Sequence, residues 1–202
     1  MPRNGGKRGI LPGNWCGACE ANTHVPPDEL DKVLVDSFET PIARPSEAQR
    51  QRRTYSGKKK RHTLKTQVVT DAKGRILEID PGHRGPQEDI KLYEQSGLKH
   101  RYRRAKKQGD KAYCSQDHPE LQTPHKKPKY CVLARKHLGG QLTPQQRQEN
   151  RQQAQTRIYV EHGIRRIKAW RITREDYRLA VGLFPTIANV VVGLTQIASL
   201  VS

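Results

Sequence analysis

Lys32-Val33-Leu34-Val35-Asp36 is a short apolar run that closes on an acid. Such a run is a buried-strand pattern. Thr63 to Thr70 and Arg75 to Asp80 read as two more strands, because their residues alternate or run β-branched. Asp71-Ala72-Lys73-Gly74 lies between them with turn chemistry, so the two should form a hairpin. Gly82 to Pro86 reads as a loop, and Glu88 to Gln95 as a short helix closed by Gly97.

The later half reads as helical. Thr143-Pro144-Gln145-Gln146 is a capping box with proline at the first helical position, and predicts a long helix reaching about Trp170. Trp170, Ile164 and Ile167 are expected in the core. The last 24 residues, Leu179 to Ser202, carry no charge. Ile187, Val190, Val191, Leu194, Ile197, Ala198 and Val201 fall on one helical stripe, while Asn189, Gly193, Gln196 and Ser199 lie on other faces. That pattern predicts an amphipathic helix packed on a core, with no membrane partner. Early strands, a loop-rich centre and late helices imply an α/β domain with a mixed sheet. No internal repeat is present, and the Gln-rich stretch 141–155 follows the helical period.

Residues 1–30, rich in Gly, Asn and Pro without a period, read as an N-terminal extension or linker, which leaves 31–200 for the domain. Within it, residues 44–65 hold nine basic side chains against one acid, Glu47. Lys58-Lys59-Lys60-Arg61 follows the turn signal Ser56-Gly57. Residues 99–107 hold six basic residues and few apolar ones, and so read as an exposed basic loop. A central strand with that many charges would be costly to bury.

Over its 202 residues the chain carries 38 Lys and Arg against 20 Asp and Glu, a net charge of +18. An excess of this size attracts a polyanion, and nucleic acid is the commonest one. The four cysteines are too few for a disulfide scaffold in a chain of this length. Cys16-Gly17-Ala18-Cys19 has metal-ligand spacing, but Cys114 and Cys131 have no short-range partner, so a zinc site is not expected. No apolar run marks a signal peptide at the start, and a cytoplasmic setting is expected.

Arg157-Ile158-Tyr159-Val160-Glu161-His162-Gly163-Ile164-Arg165-Arg166-Ile167-Lys168 places Glu161 four residues after Arg157 and seven before Lys168. On a helix those spacings return to one face, so a lone carboxylate stands between two cations. Phosphodiester chemistry needs carboxylates that hold divalent ions, roughly 3.5–4 Å apart in two-metal sites. Asp36 at the end of the first strand, Asp110 in Gly109-Asp110-Lys111-Ala112-Tyr113 and Glu161 on the late helix would supply three, if the fold gathers them. Each alone is an ordinary surface acid. His62 and His162 read as packing or hydrogen-bonding residues, and Glu39 either as a neighbour supporting Asp36 or as a strand-end acid.

Val35-Asp36-Ser37-Phe38-Glu39-Thr40-Pro41-Ile42, then Arg44-Pro45, then Tyr55-Ser56-Gly57-Lys58-Lys59-Lys60-Arg61-His62-Thr63-Leu64-Lys65-Thr66-Gln67, resembles the opening of a DDE-type transposase catalytic domain. The resemblance is to insertion-sequence transposases grouped with Harbinger-like endonucleases. It continues through Asp89-Ile90-Lys91-Leu92-Tyr93, Asp110-Lys111-Ala112-Tyr113, Asn150, Arg157, Val160-Glu161-His162, Lys168 and Tyr177-Arg178, and spans roughly residues 31 to 195. Ala154 stands where the family often has tyrosine, and Ala112 replaces its usual glycine.

The resemblance implies an RNase H-like mixed sheet flanked by helices. It implies Asp36, Asp110 and Glu161 as the catalytic, metal-holding triad; the charged stretch before Asp110, where the family has an apolar strand, makes Asp89 the alternative second acid. Mg²⁺ or Mn²⁺ would be the cofactor. Transposon ends and target DNA would be the substrates, cut and then joined through the freed 3′-hydroxyl. Arg157, Lys168 and Lys58, Lys59, Lys60 and Arg61 would contact DNA. Relatives carry an N-terminal helical DNA-binding region that the first 30 residues do not resemble. A catalytic half is therefore expected, nucleoid-associated, with a homo-oligomer on DNA or a partner chain supplying end recognition. The alternative is a non-catalytic DNA-binding remnant. An RNA-binding protein is disfavoured, since only eleven residues are Phe, Trp or Tyr.

Overall fold

A computed structural model describes residues 26–115, 117–125 and 143–200. Most of the N-terminal extension, Cys16, Cys19, Cys131 and Val201 lie outside them. Strand β1 (Lys32–Pro41) is the centre of the sheet. It pairs antiparallel with β3 (Arg61–Asp71), from Val33 opposite Asp71 to Pro41 opposite Thr63. β3 also pairs antiparallel with β4 (Ile76–Arg84) and with the two-residue β2 (Tyr55–Ser56). On its other side β1 runs parallel to β5 (Lys106–Gln108), which runs parallel to β6 (Leu121–Gln122). The order β4-β3-β1-β5-β6, with only β3 reversed against its neighbours, is the RNase H-like arrangement.

The hairpin forms because Asp71 accepts from the amides of Lys73 and Arg75 at 2.9 Å each, and Gly74 takes φ +80°. β4 runs on through Gly82 to Arg84, so the loop expected from Gly82 begins only after Arg84. A short helix α1 (Ala48–Thr54) inside the basic stretch was not foreseen. Helix α2 (Asp89–Ser96) ends at Gly97 with φ +71°, as its sequence indicates.

Residues 99–107 are not a loop. Helix α3 (Leu98–Arg101) leads into β5, whose Lys107 and Gln108 are buried. The cost of burying Lys107 is offset because its ammonium donates to the carbonyls of Tyr102 at 2.6 Å and Ala105 at 3.3 Å. Arg103, Arg104 and Lys106 remain exposed, so only one charge of the stretch enters the interior.

Two layers of helix cover the sheet. Val33, Val35, Val69 and Leu77 face α2 and α3, packing on Tyr93, Leu98 and Tyr102. On the opposite face Phe38, Val68 and Ile76 pack on Ile167 of helix α4 (Pro144–Lys168) and on Val191 and Val192 of helix α6 (Phe184–Leu200). Between these helices lies the short α5 (Arg171–Arg174). Thr143 caps α4 with the full reciprocal capping box.

The apolar stripe of α6 is rotated from expectation. Phe184, Ala188, Val191, Val192 and Thr195 are buried, whereas Val190, Leu194 and Ile197 are exposed. The helix has apolar residues on every side, so its sequence period does not fix which side meets the sheet. By length and composition alone, Val181–Ala198 would suffice to cross a bilayer. Trp170 also differs: it is partly exposed at the rim, with its indole N–H donating to Thr195 Oγ1 at 3.0 Å.

Candidate active site

Strand alternation sends Ser37 and Glu39 towards α2, and Asp36 towards α4 beside Phe38. Parallel neighbours in register share a face. Leu34 stands opposite Gln108, the last residue of β5, and Asp110, two residues past that end, comes near enough to Asp36 for its charge to act on it. Gln108 donates to the carbonyl of Gln153 on α4 at 2.8 Å. Asp110 is held by its own turn: its Oδ1 accepts from the Ala112 amide at 2.7 Å. Gly109 must be small, because a Cβ there would meet Tyr113 at 2.9 Å.

Asp36 accepts from the Ser37 amide at 2.8 Å. Its pKa is pushed up to about 6, chiefly by burial. The Ser37 amide and Arg157 oppose the rise, while the charges of Asp110 and Asp89 add to it. Tyr113, buried beneath, feels the same three aspartates; desolvation first, and then their charge, keep its hydroxyl protonated. Two carboxylates crowded into a half-buried place, with one arginine as partial compensation, form a cation-seeking site. This donor set fits a divalent ion.

Asp89 is turned to other work. It accepts from Lys65 Nζ at 3.1 Å and from the Ser37 hydroxyl, on the α2 side of β1. Ser37 thus links the two faces, its amide to Asp36 and its hydroxyl to Asp89. Lys65, buried among polar partners, escaped the sequence reading, since a lysine in a strand gives no sign of its depth. Glu39 accepts from Thr63 Oγ1 at 2.7 Å, likewise on that side.

α4 packs closely on β3 and β4 at Gly163, where a Cβ would sit 3.2 Å from Thr70 Cγ2. Arg157 acts electrostatically on Asp36. Glu161 lies one turn further along, its side chain 45% exposed and its carboxylate 3.8 Å from Arg157 Nη2. Such an exposed pair contributes only a few tenths of a kcal/mol. Among the described residues no three acid, histidine or cysteine side chains are grouped to hold a metal ion. The structure therefore brings Asp36 and Asp110 together and leaves Glu161 beside Arg157, outside a formed three-ligand set.

Lys168, at the end of α4, rests its ammonium 5.2 Å from the centroid of Phe38. Burial and then Lys59 lower its pKa, against the opposing pull of Glu39 and Asp36. Lys168 therefore connects the acids to the basic turn after β2. Lys58, Lys59, Lys60 and Arg61 are all exposed on that turn. Lys60 takes φ +52°, and Arg61 is ion-paired with Asp176. His62 contacts Thr54 and the ring of Tyr55, and His162 is exposed, so neither approaches the acids as a ligand.

Comparison with known proteins agrees with this architecture. The family model described as DDE superfamily endonuclease matches residues 35–196. The probable transposase for insertion sequence element IS702 of Microchaete diplosiphon is 34% identical over 171 residues. The match covers 83% of this chain and 57% of that protein, so the chain spans a little over half the relative's length. No solved structure matches the chain. Endonucleases of this superfamily generally use divalent metal ions. With a matching family model across most of its length, the chain belongs to the DDE superfamily endonucleases.

Proposed function

We propose that this chain is the catalytic domain of an insertion-sequence transposase. It would hydrolyse DNA at element ends and join the freed 3′-hydroxyl to target DNA. The observation that carries the reading is the nearness of Asp36 on β1 to Asp110 just past the end of the parallel β5, beneath a helix that offers Arg157, Glu161 and Lys168.

Asp36 and Asp110 would hold Mg²⁺ or Mn²⁺, with Glu161 reaching in from α4. The bound ion supplies activation of the attacking oxygen and charge stabilisation at the phosphate. The chain's own residues do the remaining work. Arg157 and Lys168 neutralise phosphate oxygens next to the acids, and the Lys58–Arg61 turn holds the flanking backbone. Residues 31–200 are the proposed catalytic unit, acting at the nucleoid. A homo-oligomer, or a further chain with an N-terminal DNA-binding region, would recognise the element ends.

The test is nicking of supercoiled plasmid by purified protein. Mg²⁺-dependent nicking should appear and should be abolished in Asp36→Ala, Asp110→Ala and Glu161→Ala. Equal nicking by those variants would exclude the reading. One observation favours a second reading, a DNA-binding remnant without catalysis: Glu161 pairs with Arg157 outside a formed metal-binding set. That reading expects salt-sensitive DNA binding with no metal-dependent cleavage.

A further inference from the structure

The segment after α4 carries three arginines within reach of the basic turn. Arg171, Arg174 and Arg178 line one surface cavity with Arg61, Glu175 and Asp176; its volume is about 770 Å³. The backbone beneath it is fixed. The Tyr177 amide donates to the Pro41 carbonyl at 2.9 Å, and Thr40 Oγ1 donates to the Thr173 carbonyl at 2.9 Å. Tyr177 is buried edge-on to Phe184, with ring centroids 5.2 Å apart. The arginines are therefore presented from a rigid edge at the end of β1.

Their local partners are two exposed carboxylates, one of them held bidentately by Arg171. Glu175 is shared by Arg171 at 3.0 Å and Arg174 at 3.3 Å, and Asp176 pairs with Arg61. The side chains of Arg171 and Arg174 remain 79% and 56% exposed. Exposed pairs of this kind are readily exchanged for a phosphate. Within the cavity four arginines stand against two carboxylates, and Lys58, Lys59 and Lys60 precede Arg61 on the adjoining turn. The patch is also continuous with the acids, since Lys59 acts on Lys168 and Lys168 on Asp36.

The geometry points to this groove as a second binding site for the DNA backbone, formed by Arg61, Arg171, Arg174 and Arg178, which holds the duplex flanking the phosphate over Asp36. The inference rests on the proposed action on DNA and adds where the flank lies. From Asp36 to Pro41 the strand advances about 17 Å. At 3.4 Å per base pair, the contacted phosphates lie about five pairs from the reacting one.

The experiment measures binding of a fluorescent duplex by the full chain in EDTA, so that cleavage plays no part. Failure of the catalytic reading would leave this measurement intact, and its failure would leave that reading standing. Each phosphate contact adds about 0.9 to the slope of log affinity against log salt. Arg174→Ala/Arg178→Ala should lower the slope by about two, with secondary structure retained by circular dichroism. Glu175→Gln, which removes a competing carboxylate, should tighten binding. Arg103→Ala/Arg104→Ala, at the far end of β5, should change the slope by less than one. An unchanged slope in the first variant, or an equal loss in the last, would overturn the site. So would phosphatidylserine vesicles capturing the protein through these arginines while the duplex does not bind.

Discussion

Asp36 concentrates the chemistry of the molecule in one side chain. Its pKa of about 6 lies above the ordinary aspartate value near 4, so the folded protein binds this proton more tightly than the unfolded chain. Stability then falls as pH rises through that window, by up to about 3 kcal/mol by pH 7. Asp36→Asn should abolish this loss. Urea unfolding in EDTA at pH 4 and pH 7 is expected to show wild type weakening relative to the variant, and Mg²⁺ should restore wild type but not Asp36→Asn. Equal pH dependence in both proteins would remove the electrostatic basis of the site.

At the scale of elements, α4 sets the site by how closely it lies on the sheet. Gly163→Ala brings a Cβ only to 3.2 Å from Thr70, and the gain in helix propensity of about 1 kcal/mol offsets that tightness. Gly163→Val cannot be accommodated so and should cost about 1–3 kcal/mol while lifting Arg157 and Glu161 from Asp36. Thermal unfolding and nicking should separate the two: Ala close to wild type in both, Val impaired in both with DNA binding kept. Thr143→Ala, which removes the cap of α4, should cost about 1 kcal/mol in urea unfolding.

The elements also show what the sequence could and could not reveal. β1, the hairpin and the capped helix were legible because local chemistry agrees with the fold at each: an apolar run, an Asp-to-Gly turn, Thr143 with Gln146. β5 was not, because its lysines counted as solvated charges. The carbonyls of Tyr102 and Ala105 that satisfy Lys107 are known only once the chain has turned back. The buried face of α6 was misplaced for the opposite reason, too little polarity to orient it. Within the site, Asp36 and Asp110 became neighbours through the parallel pairing of β1 with β5, which no local spacing encodes. The partnership of Asp89 with Lys65 across the sheet is likewise a product of tertiary structure.

For the whole molecule, a net charge of +18 is distributed unevenly around the acids. Lys168, the Lys58–Arg61 turn and the groove arginines form one tract leading from them along the edge of β1. Association with DNA should therefore be fast and steeply salt-dependent even without catalysis. Asp36→Ala is expected to bind duplex at least as tightly as wild type in EDTA, since it removes a negative charge from that tract. Weaker binding by this variant in an anisotropy titration would mean that the tract is not the contact surface.

The proposed chemistry requires Asp36 and Asp110 to act jointly on a divalent cation. Anomalous diffraction from crystals of the protein grown with Mn²⁺ examines this most directly. A manganese peak within coordination distance of both carboxylates is expected, absent in Asp36→Asn. A peak held elsewhere, or the two carboxylates standing empty at saturating Mn²⁺, would contradict it.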